Sequence, residues 1–276
     1  MTSGGAELQS LGRSVLLEDE APPHWQPIIE MPIVVVVGVT GVGKSTTIEL
    51  LTKLLPCFVL PDRRNLADRV VLPAVQDELG LPRAPVRDRV ERFRMTARYR
   101  ESHPGGMAHA LSRLRIDPAA LGGHLIFDGL RGVDEIRWAI AHVPRSRFLG
   151  LRAPEAVRLL RLLGRHEKFD FAEVHSAALA TAQRDVESLL HAVDGLEAVV
   201  PRDELASVLG STALEGVPLD EIARKAVILV EESRNYDPVA TLRMLEAELG
   251  PWRHLIVNTA VHAPADVAEQ VARWLQ

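Results

Sequence analysis

Met31-Pro32-Ile33-Val34-Val35-Val36-Val37-Gly38-Val39-Thr40-Gly41-Val42-Gly43-Lys44-Ser45-Thr46-Thr47-Ile48-Glu49-Leu50-Leu51 joins an unbroken apolar run to a glycine-rich bend and a stretch of helical spacing. The apolar run reads as a strand covered on both faces. Gly38 to Ser45 fits G-x-x-x-x-G-K-[ST] at every fixed position. Glycines there let successive backbone N–H groups converge on phosphate oxygens and keep side chains out of the approach. Lys44 has the reach and charge for the β- and γ-phosphates, and the Ser45 hydroxyl suits a magnesium ion. The helix opening at this point turns its partly positive end to the anion. Gly38, Thr40, Gly41, Val42, Gly43, Lys44, Ser45 and Thr46 are thus the expected nucleotide contacts.

The rest of the chain frames that loop. Of 276 residues, 47% are hydrophobic and 25% charged, the balance of a globular protein. A net charge of −5 argues against nucleic acid as the main partner. Arginine dominates the basic residues, with lysine only at Lys44, Lys53, Lys168 and Lys225. The single cysteine, Cys57, fits a reducing cytoplasm, and no apolar run is long enough for a membrane span. Residues 1–30, rich in Gly, Ser, Glu and Pro, read as a flexible or loosely docked leader, and 31–276 as the working domain.

Short apolar runs then alternate with helical patterns, the mark of an α/β domain with a mainly parallel sheet. Strands are expected at Ile33–Val37, Cys57–Leu60, Leu125–Phe127, Arg147–Leu151 and Leu255–Val257. Between the last two lie about 100 residues of helical character, more than one crossover needs. The part from about 166 to 250 is expected to hold a lid and a helical insertion.

Several side chains are candidates for the chemistry. Asp128 follows the apolar run Leu125-Ile126-Phe127, which predicts a carboxylate at a strand end that can hold magnesium beside Ser45. Arg158, Arg161 and Arg165 recur at helical spacing, so Arg161 and Arg165 are expected to close as lid arginines over a transferring phosphate. Asp62, Arg63 and Arg64 follow the second strand, where ligands collect in doubly wound folds. Asp62 could orient or deprotonate an acceptor hydroxyl, and the two arginines could bind an acceptor anion. Arg94, Arg98 and Arg131 complete the acceptor-site candidates.

Together, GVTGVGKST (38–46), LIFDGLRG (125–132), LRAPEAVRLLRLLGRHEKFD (151–170) and HLIVNTAVHAPADVAEQVARWL (254–275) resemble the nucleoside- and nucleotide-kinase branch of P-loop proteins, the adenylate-kinase-like enzymes. The resemblance covers roughly half the chain and departs from it where Arg131 stands closer to Asp128 and where residues 200–250 have no counterpart. It implies a three-layer P-loop fold with a five-stranded parallel sheet of order 2-3-1-4-5. It also implies γ-phosphate transfer from ATP, with Mg²⁺, to a small polar acceptor such as a nucleoside or nucleotide. A nucleotide-dependent ATPase switch with a protein partner, and a polynucleotide end kinase, stay open beside it. A homo-oligomer is compatible with each.

Overall fold

The computed structural model describes residues 14–164 and 185–276. Among these, eight strands form two sheets: β1 (Val15–Leu17), β2 (Gln26–Pro27), β3 (Ile33–Val37), β4 (Cys57–Val59), β5 (Leu114–Ile116), β6 (His124–Leu130), β7 (Arg147–Arg152) and β8 (His254–Asn258). Helices of the first half are α1 (Lys44–Leu54), α2 (Arg63–Leu66), α3 (Leu72–Glu78), α4 (Arg89–Ser102), α5 (Gly106–Ser112), α6 (Val133–His142) and α7 (Glu155–Leu163). The second half adds α8 (Val186–Ala192), α9 (Leu196–Val199), α10 (Arg202–Leu209), α11 (Leu219–Asn235), α12 (Pro238–Glu248) and α13 (Pro264–Leu275).

The larger sheet is parallel throughout, in the order β4-β6-β3-β7-β8. Its five strands, counted alone in chain order, run 2-3-1-4-5; three further strands shift the full numbering and belong to a sheet the sequence did not announce. All five β3 residues are buried, and they alternate between two cores. Ile33, Val35 and Val37 pack with Leu66, Met107 and Phe127, while Val34 and Val36 pack with Ile48, Leu51 and Val271 on the opposite face. A sheet with helices on both sides needs this uniform hydrophobicity, because neither face meets water.

β6 runs past its expected end at Phe127 to Leu130. Its pairing with β3 slips after Asp128: Val36 faces Asp128, and Val37 faces Leu130. Gly129 is skipped and the strand bends there, as an extra residue in one strand requires. Asp128 therefore lies inside β6, next to the bend rather than beyond the strand.

Residues 14–30 are docked on the rest of the chain. β1 and β2 pair with opposite edges of β5 in a small antiparallel sheet, and Val15, Trp25 and Ile28 are buried. Three well-placed apolar side chains anchor a segment whose polar remainder stays at the surface.

The insertion resolves into two parts over its described residues, 185–250. α7 to α11 enclose a core of their own, including Leu159, Leu162, Leu189, Leu196 and Leu229. α12 returns to the main sheet, with Met244, Leu245 and Leu249 in its core. No described helix is long and apolar enough to cross a membrane.

Candidate functional site

The loop after β3 is shaped by three glycines of positive φ: Gly38 at 150°, Gly41 at 85° and Gly43 at 94°. Gly41 also needs its missing side chain, since a Cβ would come within 3.0 Å of the Arg158 carbonyl oxygen. α7 thus packs its backbone directly on the loop. Gly43 ends the bend in the left-handed region, and α1 begins at Lys44.

Lys44 is 9% exposed; its Nζ donates to the Val39 carbonyl at 3.1 Å and stands 3.8 Å from Asp128 Oδ1. Burial pulls the ammonium down to about pKa 8, against the opposing pull of Asp128. Asp128 Oδ1 is itself buried and accepts no hydrogen bond. A buried carboxylate oxygen left open costs free energy unless a ligand or ion meets it.

These groups open on a cleft of about 210 Å³. Thr40, Ser45, Asp62, Arg64 and Arg131 are among its lining residues, and so are Arg89, Arg92, Phe93 and Thr96 from α4. The α4 residues recur at i, i+3, i+4 and i+7, one face of a helix. Asp88 caps that helix by accepting from the Glu91 N–H at 2.8 Å. Arg94 and Arg98, the candidates on α4, do not line the cleft; they pair with Glu91 and Glu78 at the outer surface. The helical period carries them around to solvent, while Arg89 and Arg92 take the inner face.

Asp62 lines the cleft and caps α2 at the same time, accepting from the Asn65 N–H at 2.8 Å. Arg63 lines it too, but its donors are engaged internally. They reach the Gly129 carbonyl, both oxygens of Glu135 (2.8 and 2.9 Å) and the Tyr236 hydroxyl (2.7 Å). Arg63 is a brace rather than a waiting anion-binding group. Glu135 also accepts the backbone N–H groups of Met107 and Arg131. The turn at Gly105–Gly106 thus receives a carboxylate of its own chain.

The helix-spaced arginines of α7 are not a solvated or lid-forming face. Arg158 is fully buried; its Nε donates to the Thr40 carbonyl at 2.7 Å, and its guanidinium bonds Glu155 and Glu232. Arg161 braces the loop from behind, donating to the Gly41 carbonyl and to the Thr259 hydroxyl and carbonyl. The Thr259 hydroxyl in turn donates to the Val42 carbonyl at 2.8 Å. Arg165 lies outside the described residues, as does the segment expected to form a lid at 166–171. Val42 turns its side chain into the core, so a ligand can meet it only through its backbone. Thr46 is exposed and does not line the cleft.

The least expected member is Glu232 of α11. It is fully buried, and its carboxylate accepts the Thr40 N–H at 2.9 Å, the Thr40 hydroxyl at 2.8 Å, Arg158 at 2.8 Å and a close bond from Arg131. Burial alone would raise its pKa. Arg131, Arg158, Arg89 and Lys44 outweigh burial and hold it down at about 2. A glutamate within the apolar stripe of Ile222, Ala226 and Leu229 is the one sequence signal that could have marked it. Tyr236, just past α11, is 3% exposed and lines the cleft, with Arg63 and Arg100 over its ring.

A magnesium ion fits the donors present. Asp128 and Ser45 line one cleft, and Asp128 Oδ1 has no hydrogen-bond partner. Among the described residues there is no cluster of three or more metal-binding side chains.

No protein-family model, curated protein or solved structure matches this chain.

Proposed function

We propose that the protein is a P-loop phosphotransferase of the nucleoside- and nucleotide-kinase type, which moves the γ-phosphate of ATP to a small polar acceptor. One observation carries the reading. Lys44 and the open carboxylate oxygen of Asp128 meet at the end of the glycine-rich loop, on a cleft whose other walls come from α2, α4 and the segment after α11. A loop that only held a nucleotide would not need those further walls, whereas transfer needs a second substrate beside the first.

In this reading the loop N–H groups and Lys44 hold the β- and γ-phosphates, and the Ser45 hydroxyl and Asp128 hold magnesium. The ion, when bound, bridges phosphate oxygens and neutralises charge that develops on transfer. Asp62 faces the acceptor side and can take the proton of an attacking hydroxyl. Arg64, Arg89 and Arg92 line the same wall. Arg92 is held by Asp68 and by the Val86 and Arg64 carbonyls, and Arg89 donates to the Thr40 hydroxyl. What they bring to the wall is fixed positive charge, which suits an acceptor bearing negative charge. The sole cysteine fits a reducing, cytoplasmic setting.

The test is a screen of nucleosides, nucleotides and small metabolites with ATP and Mg²⁺. The expected result is an acceptor that raises ADP production manyfold over the basal rate and is itself phosphorylated. Slow turnover that no acceptor changes would replace this reading with a nucleotide switch. That alternative has one observation in its favour: the helical insertion touches the loop directly through Glu232.

A further inference from the structure

We infer that Glu232 is a positioning residue that sets Arg131 against the terminal phosphate, so that the helical insertion is part of the phosphate site. The inference rests on the phosphotransferase reading and extends it to α11.

Arg131 directly follows β6, two residues past the bend at Gly129, and lines the cleft. Its Nη1 is bonded to Glu232. Its Nε is buried and has no hydrogen-bond partner. A guanidinium is planar, so a bond on one edge fixes where the remaining N–H groups point. Arg131 and Asp128 line the same cleft, and each carries one polar atom without a hydrogen-bond partner, a donor and an acceptor that suit a ligand carrying both a cation and an anion, as a magnesium–triphosphate does. Arg131 lines the same cleft as Lys44, and its charge is among those that lower the Lys44 pKa; in this reading it acts at the β,γ end of the nucleotide.

Glu232 itself does not line the cleft. It stands behind two residues that do, holding Arg131 on one oxygen and the Thr40 N–H on the other. Arg158 locks the carboxylate from the far side, and α11 packs within the core shared with α7. The charge and rigidity that aim Arg131 thus come from the insertion. Uncompensated, a buried carboxylate would be costly; four surrounding cations make it a fixed anchor.

The experiment measures binding of a non-hydrolysable ATP analogue and of ADP, both with Mg²⁺, by calorimetry. The proteins are wild type, Arg131→Ala, Glu232→Gln and the double variant. Glutamine keeps an oxygen for the Thr40 N–H but loses the charged bond to Arg131. Each single variant should lose roughly 10- to 100-fold of the preference for the analogue over ADP. The double variant should lose no more than Arg131→Ala alone, because both act through one guanidinium. ADP affinity should move less than about twofold. Preference retained in Glu232→Gln, or additive losses in the double variant, would overturn the role. If Glu232→Gln does not fold, the ¹⁵Nε signal of Arg131 in the wild type decides. A slowly rotating guanidinium before nucleotide is added supports the tether, and a freely rotating one removes it. Failure of the wild type to bind either nucleotide would instead overturn the donor reading itself.

Discussion

Lys44 Nζ and Asp128 Oδ1 face each other across 3.8 Å, one from the start of α1 and the other from the bend in the neighbouring strand β6. The separation is too long for a hydrogen bond and leaves the carboxylate oxygen open. Phosphate and ion would therefore meet two groups already facing each other, with little reorganisation on binding.

Replacing Lys44 with alanine should weaken binding of Mg²⁺–ATP by on the order of 100-fold or more, the scale of a lost charged hydrogen bond. Calorimetry checks this, with circular dichroism to show that the fold persists. Unchanged affinity would remove the nucleotide reading.

The same lysine sets a pH dependence. Its pKa in the free protein is pulled to about 8 by burial, and bound phosphate raises it again. Above about pH 8 the free protein must take up a proton to bind, so affinity should fall by up to about tenfold per pH unit. Stability moves the other way. The lysine is still protonated in the unfolded chain up to its ordinary 10.5, so the native state gains as pH rises from about 8 to 10.5. ATP titrations and urea melts at pH 7, 8 and 9 separate the two trends.

Glu232 gives the acid-side counterpart. Its cationic neighbours hold its pKa at about 2, below its ordinary 4.5, so the stabilisation is complete above pH 4.5 and is lost as pH falls through about 2. Wild type should lose stability steeply over that window, and Glu232→Gln should show a shallower slope. Parallel acid-unfolding curves for the two proteins would contradict this.

Glu135→Ala should destabilise the fold by about 3–5 kcal/mol, because it leaves the buried Arg63 guanidinium without its carboxylate and frees two backbone N–H groups. Arg94→Ala and Arg98→Ala, which remove only exposed pairs, should each change stability by less than about 1 kcal/mol and leave the proposed phosphate transfer unaffected. Urea unfolding at neutral pH measures all three.

The contrast between these arginines shows what the chain tells in advance. β3, the bend and α1 were legible because each depends on residues adjacent in sequence: an all-apolar strand, glycines where φ is positive, and an apolar helical stripe. Asp128 was legible as an acid at the end of an apolar run, although the slip in register that places it was not. Arg89, Arg92, Tyr236 and Glu232 owe their roles to packing between distant elements. In an arginine-rich chain, periodicity marks a helical face without saying which side another helix will cover. Arg161 therefore reads as a lid arginine although α7 is pressed against the loop. The small sheet was hidden for a different reason. Its strands are two or three residues long, too short for alternation to register, and their partner lies far along the chain.

That last pairing has a consequence for how the molecule is made. β1 and β2 do not pair with each other; each needs β5, with Val15 and Gln26 both facing Ile116. A growing chain exposes Val15 and Ile28 until about 100 more residues have emerged, an interval of roughly 5–20 s at ordinary synthesis rates. Through that time the amino-terminal segment is an unpaired apolar edge. Its capture by β5 is a late and non-local event, so this corner of the protein closes only after the strands and helices between β2 and β5 have been made.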